Sequence, residues 1–316
     1  MNKIKACDKT TNTSNESEIK QRLAFIKKYY DLDALLAHGT EQQDVAKYYR
    51  KSDFFYNLVH SGGGSNIHMA ISNGSTFDRE DFKKQADYVA KFIKDGYKIL
   101  EVGAGRVSNS KRLANLFPKA HFTALDIPNR NFLKNKVPKN ITLIEGDYHN
   151  LDNLEDNSFD VVFGVETICY SRNKQQVIKQ MMKKLKPGGV FIVFDVFEPK
   201  PKSKMSEFEK TVSSIALAGM RVTNLDHYIG DYKQYLKNAG AEDIEVKDLT
   251  ENIKPSLKRL AKFSRLYFTH PLLVKSLKIF LAEDANINSI AGFLMDLTFD
   301  GKNIHVYHRI TAKKAK

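Results

Sequence analysis

Short apolar runs recur through the middle of this chain, each ending in glycine or an acid. They are Lys98-Ile99-Leu100-Glu101-Val102, followed by Gly103-Ala104-Gly105, then His121-Phe122-Thr123-Ala124-Leu125-Asp126 and Ile141-Thr142-Leu143-Ile144-Glu145-Gly146-Asp147. Ser158-Phe159-Asp160-Val161-Val162-Phe163-Gly164 and Val190-Phe191-Ile192-Val193-Phe194-Asp195 continue the series. Runs this apolar suit parallel strands buried on both faces. Val177, Ile178, Met181, Met182 and Leu185 fall at helical spacing, and Lys186-Pro187-Gly188-Gly189 stops that helix. Strand, helix, strand at this rhythm predicts βαβ units and a parallel sheet.

Two further strands, Asp243–Leu249 and Ile304–Ile310, bring the sheet to seven. The expected fold class is therefore α/β, a doubly wound, seven-stranded, mostly parallel sheet. Residues 1–18 are predicted as a disordered tail, because 8–18 are polar and free of apolar side chains. Residues 19–95 read as an N-terminal helical cap, and 96–250 as the ligand-binding core. Residues 251–300 read as a helical lid, with helices over 255–268, 271–282 and 287–297. Residues 301–316 supply the last strand and a basic tail.

The turn after the first strand carries the chemistry. Gly103 and Gly105 let backbone approach a ligand closely. Asp126 ends the next strand, where an open α/β sheet can hydrogen-bond both hydroxyls of a ribose. A dinucleotide fingerprint would need a third glycine, but Arg106, Val107 and Ser108 follow Gly105. Glu101 is unfavourable beside a pyrophosphate and suits a cofactor bearing an ammonium and a sulfonium. Charge logic thus prefers S-adenosylmethionine to NAD. The plainer alternatives are an ordinary tight βα turn, with Asp126 and Asp147 as helix caps.

With these motifs assembled, the chain resembles the class I S-adenosylmethionine-dependent methyltransferases, whose core has a Rossmann-like fold. The resemblance rests on Glu101-x-Gly103-x-Gly105, Leu125-Asp126, Gly146-Asp147-Tyr148, Asn157-Ser158-Phe159-Asp160 and Leu185-Lys186-Pro187-Gly188-Gly189, in the family's order over residues 95–200. Val107 departs from the family's usual third glycine. The resemblance implies a cofactor site of Glu101, Gly103, Ala104, Gly105, Asp126, Ile127, Gly146, Asp147, Tyr148 and Val165. In it Glu101 lies near the methionine ammonium, Asp126 accepts from the ribose hydroxyls, and Asp147 accepts from the adenine amino group.

Within that family, Tyr48-Tyr49, Asp53-Phe54-Phe55-Tyr56 and Gly64-Ser65-x-x-His68-x-Ala70 resemble the N-terminal cap of sterol and related isoprenoid C-methyltransferases. That likeness implies aromatics closing over cofactor and substrate. Glu166, in Gly164-Val165-Glu166-Thr167, sits where the fourth strand opens onto the cleft. Sterol, tocopherol and terpenoid methyltransferases carry a similar glutamate. It could stabilise a carbocation, accept a proton or hold a cationic amine, or it could merely cap its loop. Glu166, His68 and Tyr49 are the candidate catalytic residues, and Phe55, Tyr56 and Tyr170 could shelter a cation with their π faces or simply pack.

Between Lys254 and Phe280 the chain has seven Lys or Arg and no acid. Leu257, Leu260, Phe263, Leu266 and Leu272 give this stretch an amphipathic character. It reads as a peripheral membrane contact or a lipophilic acceptor's entry, against the alternative of a solvated basic face on a packed helix.

The whole chain has 316 residues and a formal charge of +13. Its basic residues are scattered lysines rather than arginine–aromatic clusters, so nucleic acid is not the expected partner. Two cysteines point away from a disulfide framework and toward a cytoplasmic protein. No metal-ligand cluster and no membrane-spanning run is read from the sequence. The reading is direct methyl transfer to a small, lipophilic, isoprenoid-like acceptor, with C-methylation favoured. An N- or O-methyltransferase of a soluble metabolite, a non-catalytic cofactor-binding protein and an RNA methyltransferase stand as alternatives.

Overall fold

The computed structural model describes residues 9–37, 66–128, 132–222, 227–280, 283–302 and 304–316. The predicted sheet is present. Its strands are β1 (Lys98–Val102), β2 (His121–Asp126), β3 (Ile141–Glu145), β4 (Phe159–Val165), β5 (Leu185–Phe197), β6 (Ala241–Asp248) and β7 (Val306–Lys314), in the order β3-β2-β1-β4-β5-β7-β6. The first five run parallel, with Ile99 opposite both Phe122 and Val161. β7 runs antiparallel between β5 and β6, pairing Val193 with Ile310 and Val246 with Ile310.

Period-two alternation divides the strand side chains between two cores. Ile99, Val161, Phe163, Ile192 and Phe194 join one cluster, while Leu100, Val102, Val162, Phe191 and Val193 join the other. Helices cover both faces, which is why the strands read as continuous apolar runs. β6 is the exception. Its residues are exposed or half-buried, as befits an edge strand.

The helices, in chain order, are α1 (Lys9–Lys27), α2 (Leu32–Ala37), α3 (Lys84–Ala90), α4 (Ser108–Leu116), α5 (Lys174–Lys184), α6 (Glu207–Ala218) and α7 (Ile229–Asn238). They continue with α8 (Thr250–Thr269), α9 (Pro271–Phe280) and α10 (Glu283–Thr298). None of the described helices is long and apolar enough to cross a membrane.

The expectation of a disordered tail over 1–18 is corrected for residues 9–18 by α1, which begins at Lys9, while 1–8 lie outside the described residues. Its anchor is Arg22, which is 4% exposed and donates to Phe293 O at 2.6 Å and Asp296 Oδ1 at 2.5 Å, with Glu18 at 2.6 Å. The polar stretch hid this because the holding contact is an ion pair to a helix far along the chain. The block 251–300 is not a loose appendage. Phe268, Ile290, Phe293 and Leu294 form a third core with Ile26 of α1 and Ile215 of α6. The basic tail is also mostly strand: Lys313 pairs with Asp243 at 2.8 Å, and Lys314 donates to Leu185 O at 2.9 Å.

Candidate cofactor and acceptor site

β1, β2 and β4 all end at one edge of the sheet, and the site residues collect there. Gly103 has φ +66° and Gly105 has φ +56°. A Cβ on Gly103 would fall 1.9 Å from Thr167 Oγ1, so a neighbouring protein side chain already uses the space that glycine frees. Val107 stands where a third glycine was expected. It adopts the left-handed conformation a glycine would have taken, at φ 62° and ψ 22°, and is fully buried in the core. A β-branched residue there is strained.

Asp126 is 4% exposed and ends β2. Its Oδ2 accepts from Gly105 N at 2.5 Å and its Oδ1 from Ile127 N at 2.7 Å. The carboxylate thus bridges the glycine turn to the start of the next loop. Ala104 N donates to Leu125 O at 3.0 Å, which closes the same turn. Gly146 N donates to Asp126 O at 2.8 Å, so the end of β3 is tied to this acid too. Asp147 takes both the backbone N–H and the ring Nδ1–H of His149 on Oδ1, at 2.8 and 2.6 Å, and His149 Nε2 meets Ser171 Oγ at 2.8 Å. Tyr148 turns inward, its hydroxyl donating to Thr167 O at 3.1 Å.

Glu101 is 2% exposed, and its partners lie at the start of α4. Ser110 Oγ donates at 2.5 Å, Ser110 N at 3.2 Å and Asn109 Nδ2 at 3.2 Å. Burial pushes its carboxyl up to about 7, against the lowering effect of those donors. The Ser108-Asn109-Ser110 run opening a helix after a glycine turn was the sequence signal for these partners.

Glu166, half-buried, follows β4 in a left-handed turn at φ 48°. Its Oε1 accepts from Met69 N at 2.7 Å and from the Tyr307 hydroxyl at 2.8 Å. Burial pushes this carboxyl up to about 8. Gln85 of α3 completes the ring, donating to Met69 O at 2.6 Å and lying 3.5 Å from the Tyr307 hydroxyl. His68 is 5% exposed, with Nδ1–H donating to Met69 O at 3.1 Å and Nε2 buried without a partner. Burial pulls its pKa down to about 4, so the ring is neutral near pH 7. The structure therefore brings the turn of Glu166 against the short segment Asn66–Ser72 that carries His68, the two joined through the backbone of Met69. Tyr49, Phe55 and Tyr56 lie outside the described residues. Tyr170 is committed by its hydroxyl to Met220 O at 3.3 Å.

Sequence reading missed Tyr307, Gln85, Thr167 and Asp195. Asp195 is fully buried below the cleft and accepts from Cys169 N at 3.0 Å and Val196 N at 2.9 Å. Only Asp195 carried a signal, as the acid ending an apolar strand. Among the described residues no group of His, Cys, Asp and Glu could hold a metal ion.

A strand-end acid, a turn of two left-handed glycines and a buried polar Nε2 fit a nucleoside-bearing cofactor with a cationic end. The sheet order and this turn are those of the class I S-adenosylmethionine-dependent methyltransferase fold, and residues 100–193 match the methyltransferase domain family. The chain is 26% identical over 73% of its length to the sterol 24-C-methyltransferase of Saccharomyces cerevisiae, covering 63% of that protein. It is 29% identical over 60% of its length to phosphoethanolamine N-methyltransferase 1 of Arabidopsis thaliana, covering 36% of that protein. The chain thus spans less than two thirds of either relative.

Among solved structures, a (4+2)-cyclase superposes with a TM-score of 0.66 at 17% identity, covering 88% of this chain and 97% of that one. Geranyl diphosphate C-methyltransferase from Streptomyces coelicolor superposes with a TM-score of 0.62 at 12% identity, covering 87% and 97%. The resemblance drawn from the motifs, to class I methyltransferases and within them to the sterol group, is borne out, as is the fold class.

Proposed function

We propose that this protein is an S-adenosylmethionine-dependent methyltransferase that methylates carbon in a small, lipophilic, isoprenoid-like acceptor. The observation that carries the reading is Glu166. It is a half-buried carboxyl in a strained turn at the end of β4, one residue from the Thr167 side chain that packs on the glycine turn. Backbone strain at a cleft persists where surrounding structure enforces it, and here Met69, Tyr307 and Phe194 O do so.

S-adenosylmethionine, when bound, supplies an electrophilic methyl group on a positively charged sulfur. Asp126 and the Gly103–Gly105 turn would hold its nucleoside end, with Ile127, Gly146, Asp147, Tyr148 and Val165 around it. Attack by an acceptor alkene on that methyl carbon would form the new C–C bond as the methyl–sulfur bond breaks, its electron pair leaving with the sulfur as a neutral thioether, and would leave the positive charge on an acceptor carbon. The positive charge of the cofactor and of that carbon would favour the ionised form of Glu166 over the neutral carboxyl that burial alone favours. Glu166 would then serve as counter-charge and proton acceptor for the carbon, and neutral His68, through its Nε2 lone pair, would be able to take the proton in its place. The apolar surround supplies orientation and excludes water.

The sterol methyltransferase relative and the geranyl diphosphate methyltransferase neighbour support the isoprenoid acceptor. The phosphoethanolamine relative supports a second reading, in which Glu166 holds a cationic amine. A lipophilic acceptor goes with peripheral contact with a membrane through 254–280, and the single described cysteine, buried and unpaired, goes with a cytoplasmic location.

The test is incubation with methyl-labelled S-adenosylmethionine and cell extract, followed by partition of the label. Label in the organic phase, absent from an Asp126→Ala control, supports the proposal. Label confined to the small aqueous fraction overturns it in favour of the amine, and label in RNA overturns both.

A further inference from the structure

α8 is amphipathic in an unusual sense: its inner face is packed, and its outer face is neither purely polar nor covered. Leu257, Ala261 and Phe268 are buried, whereas Phe263 is 46% exposed and Leu266 54%. Leu272, at the start of α9, is 80% exposed. Lys258 and Lys262 share the outer face of α8, two turns and one turn before Leu266, and Lys275 follows Leu272 on α9. These three lysines make no ion pair among the described residues. Arg265 reaches Glu18 at 3.4 Å. A solvated helix face would mix signs, and a protein interface would carry less lysine. Apolar side chains ringed by lysines, with no acid on either helix segment from 254 to 280, match an anionic bilayer surface.

The same helix reaches the site. Asn252, in its first turn, exchanges two hydrogen bonds with Ser72, receiving from Ser72 N at 2.8 Å and donating to Ser72 O at 2.9 Å. Ser72 ends the segment whose Met69 N–H holds Glu166. From Asn252 to Leu266 the helix rises about 21 Å. We propose that the outer face of α8 and the start of α9 docks on an anionic lipid bilayer, with the segment that holds Glu166 tied to the N-terminal end of the same helix. This rests on the lipophilic-acceptor reading for its purpose, though not for its test.

The experiment is co-sedimentation of the full chain with vesicles of phosphatidylcholine alone and of phosphatidylcholine mixed with phosphatidylserine. The expected result is binding to the mixed vesicles that weakens as salt rises. Each lysine near such a surface contributes about a fivefold factor, so Lys258→Gln, Lys262→Gln and Lys275→Gln together should lower the partition coefficient about a hundredfold. Phe263→Ser, Leu266→Ser and Leu272→Ser should lower it at least about tenfold. All six positions are exposed, and unchanged thermal unfolding of the variants excludes misfolding as the cause. Absence of binding to mixed vesicles, or binding that both variants retain, overturns the proposal. Vesicle binding by a chain that places no label in lipid supports the surface while overturning the isoprenoid acceptor.

Discussion

The Tyr307 hydroxyl donates to Glu166 Oε1 at 2.8 Å across 141 positions of sequence, joining the last strand of the sheet to the turn after the fourth. The same oxygen accepts from Met69 N. A clamp and a catalytic carboxylate make opposite predictions here. In Glu166→Gln the amide oxygen can still accept both bonds, but the group no longer ionises. If Glu166 acts on the acceptor, kcat should fall about 10²–10⁴-fold with the unfolding temperature and cofactor affinity kept. A variant that retains wild-type kcat would reduce Glu166 to a clamp. Tyr307→Phe removes one donor and should cost a smaller factor, about tenfold, in the same measurement.

Asp126 should govern cofactor affinity rather than folding. Asp126→Asn keeps an oxygen for Gly105 N or Ile127 N but loses the charge that strengthens bonds from ribose hydroxyls. One charge-assisted bond is worth about 1.5–3 kcal/mol, so the dissociation constant for S-adenosylmethionine should rise about 10–100-fold by calorimetry. Equal affinities would remove Asp126 from the cofactor site.

Buried groups give the chain a defined stability profile. Glu101 and Glu166 have carboxyls raised to about 7 and about 8, and Asp195 to about 6. The folded chain therefore holds protons that the unfolded chain has released. Their contribution is full below the ordinary carboxylate range and is lost as pH rises through 6, 7 and 8 in turn. His68 and His305 run the other way, lowered to about 4 and about 3. Their contribution is full above about 6.5 and is lost as pH falls toward 3. Unfolding temperature in the absence of ligand should thus decline from pH 6.5 to 8.5 and also below pH 5. Glu166→Gln should flatten the alkaline decline by on the order of 1–2 kcal/mol, about 2–8 °C. A wild-type curve that rises from pH 6.5 to 8.5 would contradict the burial of these acids as neutral groups.

What the sequence disclosed follows from where the forces act. The five parallel strands were legible because burial on both faces leaves an unbroken apolar run, and Gly103, Gly105 and Asp126 were legible because a βα turn demands particular residues. Strand limits were less so: β5 begins at Leu185, ahead of the Pro187-Gly188-Gly189 stretch that looked like pure punctuation. The clamp on Glu166 was illegible. Met69, Gln85 and Tyr307 come from three distant segments, and no local pattern tells a tyrosine on an edge-side strand that its hydroxyl will meet a carboxylate. α1 was hidden for the same reason, since Arg22 and Asp296, 274 positions apart, pair only where the folded chain brings them together.

Gly103 and Thr167 should behave as a coupled pair. A Cβ at Gly103 would lie 1.9 Å from Thr167 Oγ1 and 2.5 Å from Thr167 Cβ, closer than real atoms approach, and φ +66° strains any other residue. The Thr167 Cβ is part of the obstruction, so trimming Thr167 to Ala leaves the clash, whereas Thr167→Gly removes it. Gly103→Ala alone should destabilise by at least about 2 kcal/mol, within the range for steric overpacking plus a left-handed alanine. Thr167→Gly alone should also destabilise, through the lost packing and a freer unfolded chain. In the double variant the costs should not add: an interaction energy of about 1–2 kcal/mol should appear in a denaturant double-mutant cycle. Strict additivity would mean that Thr167 swings clear of the turn. The glycine would then be held by its backbone angle or by the cofactor, and the link from the glycine turn through Thr167 to Glu166 would be lost.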